Sequence, residues 1–270
     1  MKILTDDQRS SMRSSKISPS EKMADIYILC DNDEYKEKSI GLSDILGIRC
    51  IYDNVKTGPE SLILQYGSDG LSLTGGGMTL RADFSDMTDR LRQDRVKGEM
   101  INKAVGLKYL KDDPLIMDAT AGFGEDSILM AAAGFRVVMF ERNMIIAMLL
   151  KDALIRAQNV EELSDITARL QLRCEDSIKA MNNKLIQPDV IYLDPMFPQR
   201  NKSGLIKKKF QLLQKLENPC DEEEDLFDAA CRLNPSKIIV KRPLKGNVLA
   251  SRKPGYCIKG STVRYDCYVL

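Results

Sequence analysis

Strand-like and helix-like segments alternate along the second half of this 270-residue chain. Short apolar runs typical of buried strands fall at residues 115–117, 136–140, 170–172, 190–193 and 238–240. Between them, residues 126–133 and 144–158 repeat apolar side chains with the spacing of a helix, and Gly134 suits the end of the first helix. Such an alternation predicts a mostly parallel sheet with helices on both faces. A terminal hairpin is predicted at residues 256–258 and 262–270.

The preceding part of the chain has a different pattern, dominated by strands. Four strand-like runs fall at residues 26–29, 48–52, 61–66 and 71–74. The last two flank the turn Gly67–Gly70, which is a strong hairpin signal. Three glycines, Gly75–Gly77, then interrupt the pattern. We therefore expect a small β-rich N-terminal domain at residues 1–90 and an α/β domain at residues 91–270.

Composition excludes several kinds of chemistry. The chain has no histidine, which excludes every mechanism that needs a histidine acid, base or nucleophile. Its seven cysteines are scattered, so we expect no metal site and unpaired thiols in a reducing cytoplasm. The formal net charge is +1, so affinity for an anionic partner must come from local patches. Since no apolar run approaches the ~20 residues that span a bilayer, and the N-terminus does not resemble a signal peptide, we expect no membrane partner.

A turn rich in small residues, Asp118–Asp126, connects the first strand of the α/β domain to its first helix. Gly122 and Gly124 let the backbone turn tightly and approach a ligand closely. In doubly wound sheets this turn lines the crevice at the carboxyl ends of the strands. Glu141 ends the second strand, where a carboxylate can accept hydrogen bonds from ribose hydroxyls. The arrangement suits either a dinucleotide or S-adenosylmethionine.

Two residues favour S-adenosylmethionine over a dinucleotide. Ser127 stands where the dinucleotide fingerprint requires a third glycine. The carboxylate of Asp118 would repel a pyrophosphate but support a cationic sulfonium or ammonium group. The remaining alternative is a tight turn that binds no ligand. Packing alone would not explain why both neighbouring strands end in an acid. Asp176 and Ser177 follow the third strand, where they could cap the next helix, contact the adenine amino group, or do both.

The fourth strand of the α/β domain ends in Asp194-Pro195-Met196-Phe197-Pro198. Asp194 offers a hydrogen-bond acceptor, and Pro195 fixes φ and has no N–H, so it holds the turn open. Phe197 offers a flat face on which a base could stack. These properties suit a site that holds the exocyclic amino group of a nucleobase during a reaction at that group. Since Asp-Pro also opens ordinary turns, a plain turn is the alternative unless a cofactor site lies beside it.

Two basic runs follow strands whose carboxyl ends should lie at this same face. The runs are residues 200–209 and 241–253, and neither contains an acid. Cationic loops on one face predict a phosphate-binding rim and therefore an RNA partner, with solvated loops as the alternative. The residues that we expect to bind RNA are Arg200, Lys202, Lys207, Lys208, Lys241 and Arg242.

Several of these segments resemble the RsmJ family of small-subunit ribosomal RNA guanine-N2 methyltransferases. The resemblance rests on D-A-T-A-G-F-G-E-D at 118–126, F-E-R-N at 140–143 and Y-L-D-P-M-F-P at 192–198, with further matches at 97–106, 202–208 and 240–243. It spans residues 95–270 in order and spacing, whereas the N-terminal region matches only in general pattern. The resemblance implies a class I methyltransferase fold, which is Rossmann-like, with a seven-stranded sheet whose last strand runs antiparallel.

The resemblance also implies a set of residues that contact the cofactor. Carried over to this chain, they are Glu125, Asp126, Glu141, Arg142, Asp176, Ser177 and Asp194, in addition to Asp118, Gly122 and Gly124 from the turn itself. Two positions depart from the family's pattern. Glu125 replaces the usual arginine, which reverses a charge beside the cofactor turn. Gln199-Arg200 replaces the usual His-Lys, which indicates that a histidine is dispensable for the chemistry.

The implied reaction transfers a methyl group from S-adenosylmethionine to the 2-amino group of a guanine in ribosomal RNA, free or in the small ribosomal subunit. Asp194, Pro195 and Phe197 are the expected catalytic residues. One alternative is methylation of another amine, such as adenine N6 in a nucleic acid or a protein glutamine. A D-P-x-F segment could hold any of these amino groups for methyl transfer. A second alternative is a non-catalytic RNA-binding relative, with Glu125 as the residue that points to it.

Overall fold

The computed structural model describes residues 25–52, 58, 61–106, 113–195, 212, 216 and 222–270. The chain divides into two compact units, one from residues 1–81 and 202–217 and the other from residues 82–201 and 218–270. Within the described residues, each unit contains one β-sheet. The expected domains at residues 1–90 and 91–270 stay a prediction, because compactness alone does not show which segments fold as domains.

The smaller unit is built around a mixed sheet. In chain order its described elements are β1 (Ile26–Leu29), α1 (Lys36–Leu46), β2 (Cys50–Ile51), β3 (Leu62–Gly67), β4 (Gly70–Gly75) and β5 (Met78–Leu80). The sheet order is β2-β1-β3-β4-β5, with β1 parallel to β2 and β3 and the other pairs antiparallel. The predicted hairpin is present, with Gly67 opposite Gly70. The β-rich character of this region is therefore confirmed.

The sequence did not predict helix α1. Parallel neighbours such as β1 and β2 cannot be joined by a tight turn, so the chain must cross over between them. Only Ser39 and Leu42 of the helix are buried, which leaves a weak apolar periodicity. The helix ends at Gly47, whose φ of 65° lies in the left-handed region that favours glycine.

The larger unit begins with short helices that precede its sheet. They are a 3₁₀ turn (Ser85–Met87), α2 (Thr88–Leu91), α3 (Gln93–Val96) and α4 (Met100–Val105). Leu91, Val96 and Ile101 are buried in the main core. Each helix is too short for a 3.6-residue period to be read from the sequence, so these elements also went unpredicted.

The sheet of the larger unit contains seven strands. In chain order the elements are β6 (Leu115–Asp118), α5 (Glu125–Ala132), β7 (Arg136–Phe140), α6 (Met144–Gln158), α7 (Glu161–Thr167), β8 (Leu170–Arg173), α8 (Ser177–Asn182), β9 (Val190–Leu193), α9 (Glu223–Arg232), β10 (Lys237–Pro243), a 3₁₀ turn (Leu249–Ser251), β11 (Tyr256–Lys259) and β12 (Val263–Val269). The strand order is β11-β12-β10-β9-β6-β7-β8. β12 is antiparallel to both of its neighbours, whereas the pairs from β10 to β8 are parallel. The predicted α/β fold, its antiparallel last strand and the terminal hairpin are confirmed.

Both faces of this sheet are buried. Ile116, Val190 and Ile239 face a core shared with α5 and α6. The next residues along the strands, such as Met117 and Ile191, face a second core shared with α8 and α9. Burying each of these side chains contributes about 1.5–3 kcal/mol to folding. Burial on both faces explains why the strands appear in the sequence as continuous apolar runs rather than as alternating patterns.

The strand order reverses at β6. The chain runs outward from β6 to β7 and β8, and then returns across β6 to β9 and β10. Loops on the two sides of such a switch point diverge and leave a crevice at the carboxyl ends of the strands. This crevice is the place where the sequence-predicted residues should meet.

Candidate active site

Charged side chains gather at the carboxyl ends of four adjacent strands. Asp118 ends β6, Glu141 follows β7, Asp194 follows β9, and Lys241 lies in the last part of β10. The strand order places the ends of β7, β6, β9 and β10 side by side. The structure therefore brings together acids that the sequence analysis singled out in three separate segments.

The turn between β6 and α5 requires glycine at two positions. Gly122 and Gly124 have φ values of 55° and 76°, in the region that favours glycine. A Cβ added to Gly124 would lie only 2.8 Å from Leu150 Cδ1. The Ala121 N–H donates to the Phe140 carbonyl at 3.0 Å, which fixes the turn against the end of β7. Backbone conformation therefore requires glycine at both positions, and at Gly124 the packing of Leu150 requires it as well.

Asp118 supports this turn from within. Its side chain is buried and accepts hydrogen bonds from the Thr120 N–H at 3.0 Å and from the Ser127 hydroxyl at 2.6 Å. Burial raises the pKa of Asp118 to about 7; the two hydrogen bonds oppose this rise, and the charges of Asp126 and Asp194 add to it. The carboxyl group shapes the turn, while its direct contact with a cofactor stays a prediction.

Glu141 connects the turn to helix α6. Its Oε2 accepts from the Gly122 N–H at 2.9 Å and its Oε1 accepts from the Asn143 N–H at 2.8 Å. Asn143 in turn caps α6, because its Oδ1 accepts from the N–H groups of Ile145 and Ile146. Glu141 is 6% exposed. A contact between its carboxylate and ribose hydroxyls stays a prediction.

Asp194 belongs to a cluster of charges that also contains Asp126 and Lys241. The Lys241 Nζ lies 2.7 Å from Asp126 Oδ2 and 3.1 Å from Asp194 Oδ2. Asp126 Oδ2 also accepts a hydrogen bond from the Tyr192 hydroxyl at 2.5 Å. Burial lowers the pKa of Lys241, but the charges of Asp194 and Asp126 outweigh burial and raise that pKa above its ordinary value. The lysine is therefore a cation held between two carboxylates.

Two hydrogen bonds donated by backbone N–H groups join the turn between β6 and α5 to β9 and to the residue that follows it. The Asp194 N–H donates to Thr120 Oγ1 at 2.6 Å, and the Ala119 N–H donates to the Tyr192 carbonyl at 3.0 Å. Tyr265 of β12 lies opposite Lys241 of β10, and burial raises the pKa of the Tyr265 hydroxyl. The sequence analysis missed Thr120, Tyr192 and Tyr265 as parts of the site. Thr120 and Tyr192 lie inside the motifs at 118–126 and 192–198, but their roles, like that of Tyr265, depend on which strands become neighbours.

Asp176 caps helix α8. Its Oδ1 accepts hydrogen bonds from the N–H groups of Ile178 and Lys179 at 2.9 and 3.2 Å. The capping role that the sequence allowed is therefore present. Ser177, the next residue, is buried. A contact of either residue with adenine stays a prediction.

The remaining predicted cofactor residues lie closer to solvent. Glu125 is exposed at the first position of α5. The Arg142 guanidinium donates to Glu222 Oε2 at 2.8 Å, and both side chains are roughly half exposed. Contacts of Glu125 and Arg142 with the cofactor stay predictions.

The two residues of β10 that were predicted to bind RNA point to opposite faces of the sheet. Lys241 enters the charge cluster, whereas Arg242 is 6% exposed and its Nε donates to the Asn247 carbonyl at 2.7 Å. Burial lowers the pKa of Arg242, with the Glu223 carboxylate acting in the opposite direction. Contacts of either residue with RNA stay predictions. The other predicted RNA-binding and stacking residues lie outside the described residues: Phe197, Arg200, Lys202, Lys207 and Lys208.

The described ranges contain neither a candidate metal site nor a candidate membrane-spanning helix. No group of three or more Cys, Asp or Glu side chains within these ranges could hold a metal ion. Among the helices that the structure describes, none has both the length and the apolar composition to cross a membrane.

The acidic side chains at the crevice fit S-adenosylmethionine. Carboxylates from β6, α5, β7 and β9 suit the cationic sulfonium and ammonium groups of this cofactor, and they would repel a pyrophosphate. The residues present therefore match the cofactor that the sequence favoured.

Comparisons with known proteins agree with this chemistry. The SAM-dependent methyltransferase family, named for S-adenosylmethionine, matches residues 54–270. Ribosomal RNA small subunit methyltransferase J of Ectopseudomonas mendocina is 38% identical over 220 residues, which cover 79% of this chain and 84% of that protein. The protein of the same name from Thioalkalivibrio sulfidiphilus is 34% identical over 253 residues, which cover 90% of this chain and 97% of that protein.

A solved structure shows the same fold. The crystal structure of a SAM-dependent methyltransferase from Neisseria gonorrhoeae aligns with a TM-score of 0.69 and 26% sequence identity, over 90% of this chain and 95% of that one. The family match, the relatives and the acidic crevice support one conclusion. The chain belongs to the ribosomal RNA small subunit methyltransferase J family, and it is an S-adenosylmethionine-dependent methyltransferase.

Proposed function

We propose that this methyltransferase transfers a methyl group to the exocyclic 2-amino group of a guanine in small-subunit ribosomal RNA. The name of its relatives supports the class of substrate. The observation that carries the proposal is the position of Asp194. Its backbone N–H donates to Thr120 in the turn between β6 and α5, which supports a role for its carboxylate beside the methyl donor.

The 2-amino group of guanine is a weak nucleophile, because its lone pair is delocalised into the ring. S-adenosylmethionine supplies the methyl group on a cationic sulfonium. A hydrogen bond from the amine to Asp194 draws the lone pair back onto nitrogen. As the N–C bond forms and the S–C bond breaks, the nitrogen gains positive charge, which the carboxylate stabilises. Asp194 then accepts the departing proton, leaving N2-methylguanine and S-adenosylhomocysteine.

The cofactor is proposed to lie along the turn between β6 and α5. The positive φ values of Gly122 and Gly124 support a close approach to the backbone. The other proposed contacts come from Asp118, Glu125, Asp126, Glu141, Arg142, Asp176, Ser177 and Asp194. Orientation of methyl donor and acceptor in line supplies much of the remaining rate enhancement.

RNA is proposed to bind over the D-P-M-F-P segment. Pro195 would hold the turn open, and Phe197 would stack on the target base, an interaction worth about 1–3 kcal/mol. A paired guanine must leave its helix before it can enter the site. Basic residues of the 200–209 segment would contact phosphates, and the proposed substrate assigns the protein to the cytoplasm.

Nucleoside mass spectrometry of small-subunit ribosomal RNA tests this assignment. RNA from a strain that lacks the gene should have lost one N2-methylguanosine, and a plasmid copy of the gene should restore it. Unchanged N2-methylguanosine would contradict the assignment, and loss of N6-methyladenosine would indicate another amine. Failure to bind S-adenosylmethionine in calorimetry would instead indicate a non-catalytic relative.

A further inference from the structure

Lys241 has two carboxylate partners that belong to different parts of the site. Asp126 lies in the first turn of α5, beside the proposed cofactor, and Asp194 lies at the proposed site of methyl transfer. The Lys241 side chain is 25% exposed. The sequence analysis expected this lysine to bind RNA phosphates, but its ammonium group points toward the acids.

We propose that Lys241 is a positioning residue that holds the Asp194 carboxylate in place for the amine, through an ion pair balanced by Asp126. This inference rests on the proposed function, because it assigns Asp194 the role given above. It adds a residue that touches neither the transferred methyl group nor the target base.

The first argument for this role is electrostatic. Asp126 and Asp194 are both within ion-pair distance of one Nζ, so the two carboxylates are close enough to repel each other. A cation between them converts that repulsion into two attractions. At 36% exposure, the Asp194 side chain is screened only in part by water. Without Lys241, Asp194 would turn away from Asp126 and toward solvent.

The second argument is that the surroundings hold Lys241 itself in place. Asp126, its nearer partner, is fixed by the Tyr192 hydroxyl. Lys241 directly follows Val240, the last residue of β10 that is paired with β9, and it lies opposite Tyr265 of β12. The sheet therefore fixes the backbone of Lys241, and the two carboxylates orient its side chain, as a positioning residue requires.

The two candidate roles of Lys241 predict opposite kinetics. A phosphate contact contributes to RNA affinity, so its loss would raise the Kd for RNA and reduce the salt dependence of binding by about one charge. A positioning contact acts on the reacting groups, so its loss would lower kcat and leave RNA affinity unchanged. A misplacement of catalytic groups by about 1 Å costs roughly 100-fold in rate.

The test compares three variants of the full chain with small-subunit RNA as substrate. Lys241→Met removes the charge and keeps most of the apolar stem, and Lys241→Arg keeps the charge. Lys237→Met is the matched control, because Lys237 lies on the same strand and face but at the amino end, where its Nζ donates to the carbonyls of Ala104 and Val105. Single-turnover rates, RNA Kd across salt concentrations and Tm are measured for each.

We expect Lys241→Met to lower the single-turnover rate by about 100-fold with an unchanged RNA Kd and salt slope. Lys241→Arg should recover most of the rate. Lys237→Met should lower Tm while the rate stays close to that of the wild type. A raised RNA Kd with a normal rate at saturating RNA would overturn the proposal in favour of phosphate binding. An equal loss of rate in both Lys→Met variants would show a merely structural role.

A stability cycle separates this inference from the proposed function, because it needs no substrate. The Tm values of Lys241→Met, Asp194→Asn and the double variant are compared by thermal unfolding with S-adenosylmethionine absent. We expect the double variant to lose less Tm than the sum of the single losses, because both remove the same ion pair. Additive losses would overturn the inference. Non-additive losses in a protein that leaves ribosomal RNA unmethylated would reject the proposed function alone.

Discussion

The two ends of the large sheet use charged side chains in opposite ways. At the amino end, Asp189 and Lys237 bond to backbone: Asp189 Oδ2 accepts from the Leu115 N–H at 2.8 Å, and Lys237 donates to two carbonyls at the end of α4. At the carboxyl end, Asp194 and Lys241 face each other at 3.1 Å. Asp189 and Lys237 thus satisfy backbone groups at the first end, whereas Asp194 and Lys241 at the second end form an ion pair beside a crevice.

This difference shows how one sheet separates stability from chemistry. A buried backbone group costs about 1–3 kcal/mol when it loses its partner, so charges that satisfy such groups contribute directly to folding. Neighbouring like charges such as Asp126 and Asp194 oppose folding unless a cation lies between them. Strain of this kind is tolerated where it serves a reaction. Substitutions at the two ends should therefore have separable effects.

The largest effect is expected at the carboxyl end, for Asp194→Ala. The variant lacks the acceptor for the amine and its proton, so kcat should fall by about 1000-fold. Its Tm should change little, because Lys241 keeps Asp126 as a partner. Methyl transfer and thermal unfolding measured on the same preparation check this. A parallel loss of Tm would mean that Asp194 is structural, and the comparison between the two ends would fail.

An intermediate effect is expected for the pH dependence of stability in Asp118→Asn. Because the folded pKa is raised to about 7, from an ordinary value of 3.8, the native state binds this proton more tightly than the unfolded state does. The resulting stability is fully present below about pH 4 and is lost as pH rises through about 7, a change of at most about 4 kcal/mol. Asparagine does not titrate, so urea unfolding from pH 4 to 8 should show a smaller decline in the variant. Identical profiles would contradict burial of a titrating Asp118.

The smallest effect is expected at the amino end, for Asp189→Ala. This change removes the acceptor of the Leu115 N–H, so the free energy of unfolding should fall by about 1–3 kcal/mol. The rate of methyl transfer should equal that of the wild type at a temperature where both are folded. Urea unfolding measures the free energy of unfolding, and single-turnover kinetics measure the rate of methyl transfer. A large loss of rate would show that the two ends are coupled.

Much of the fold could be predicted from the sequence because burial on both faces makes each core strand an apolar run. The Gly67–Gly70 turn likewise identified the first hairpin. Helices with weak apolar periodicity could not be predicted from the sequence: α1 buries only two residues, and α2 and α3 contain one turn each. Their positions are imposed by tertiary packing rather than by local preference.

The site could be predicted only as far as strand ends. Asp118, Glu141 and Asp194 were identified because residues after parallel strands meet at one edge of a sheet. Their partners could not be identified, since the Lys241 contacts exist only because β10 lies next to β9 in the strand order. The direction in which each of these side chains points could not be predicted from the sequence either. Asp118 bonds to Thr120 and Ser127 in its own turn, contacts that the sequence does not reveal, while its contact with a cofactor stays a prediction.

The position of β12 has a consequence for the order in which the protein can assemble. This strand lies between β10 and β11, although it follows both of them along the chain. Its Arg264 is paired with buried Asp266 and donates to the carbonyls of Pro243, Leu244 and Gly246, at the end of the strand that carries Lys241 and just beyond it. A chain emerging from the ribosome therefore exposes an open edge at β10 until residues 263–269 have been synthesised. The β10 side of the methyltransferase site is therefore supported only after residues 263–269 have joined the sheet, when the other strands that form the site have already been synthesised.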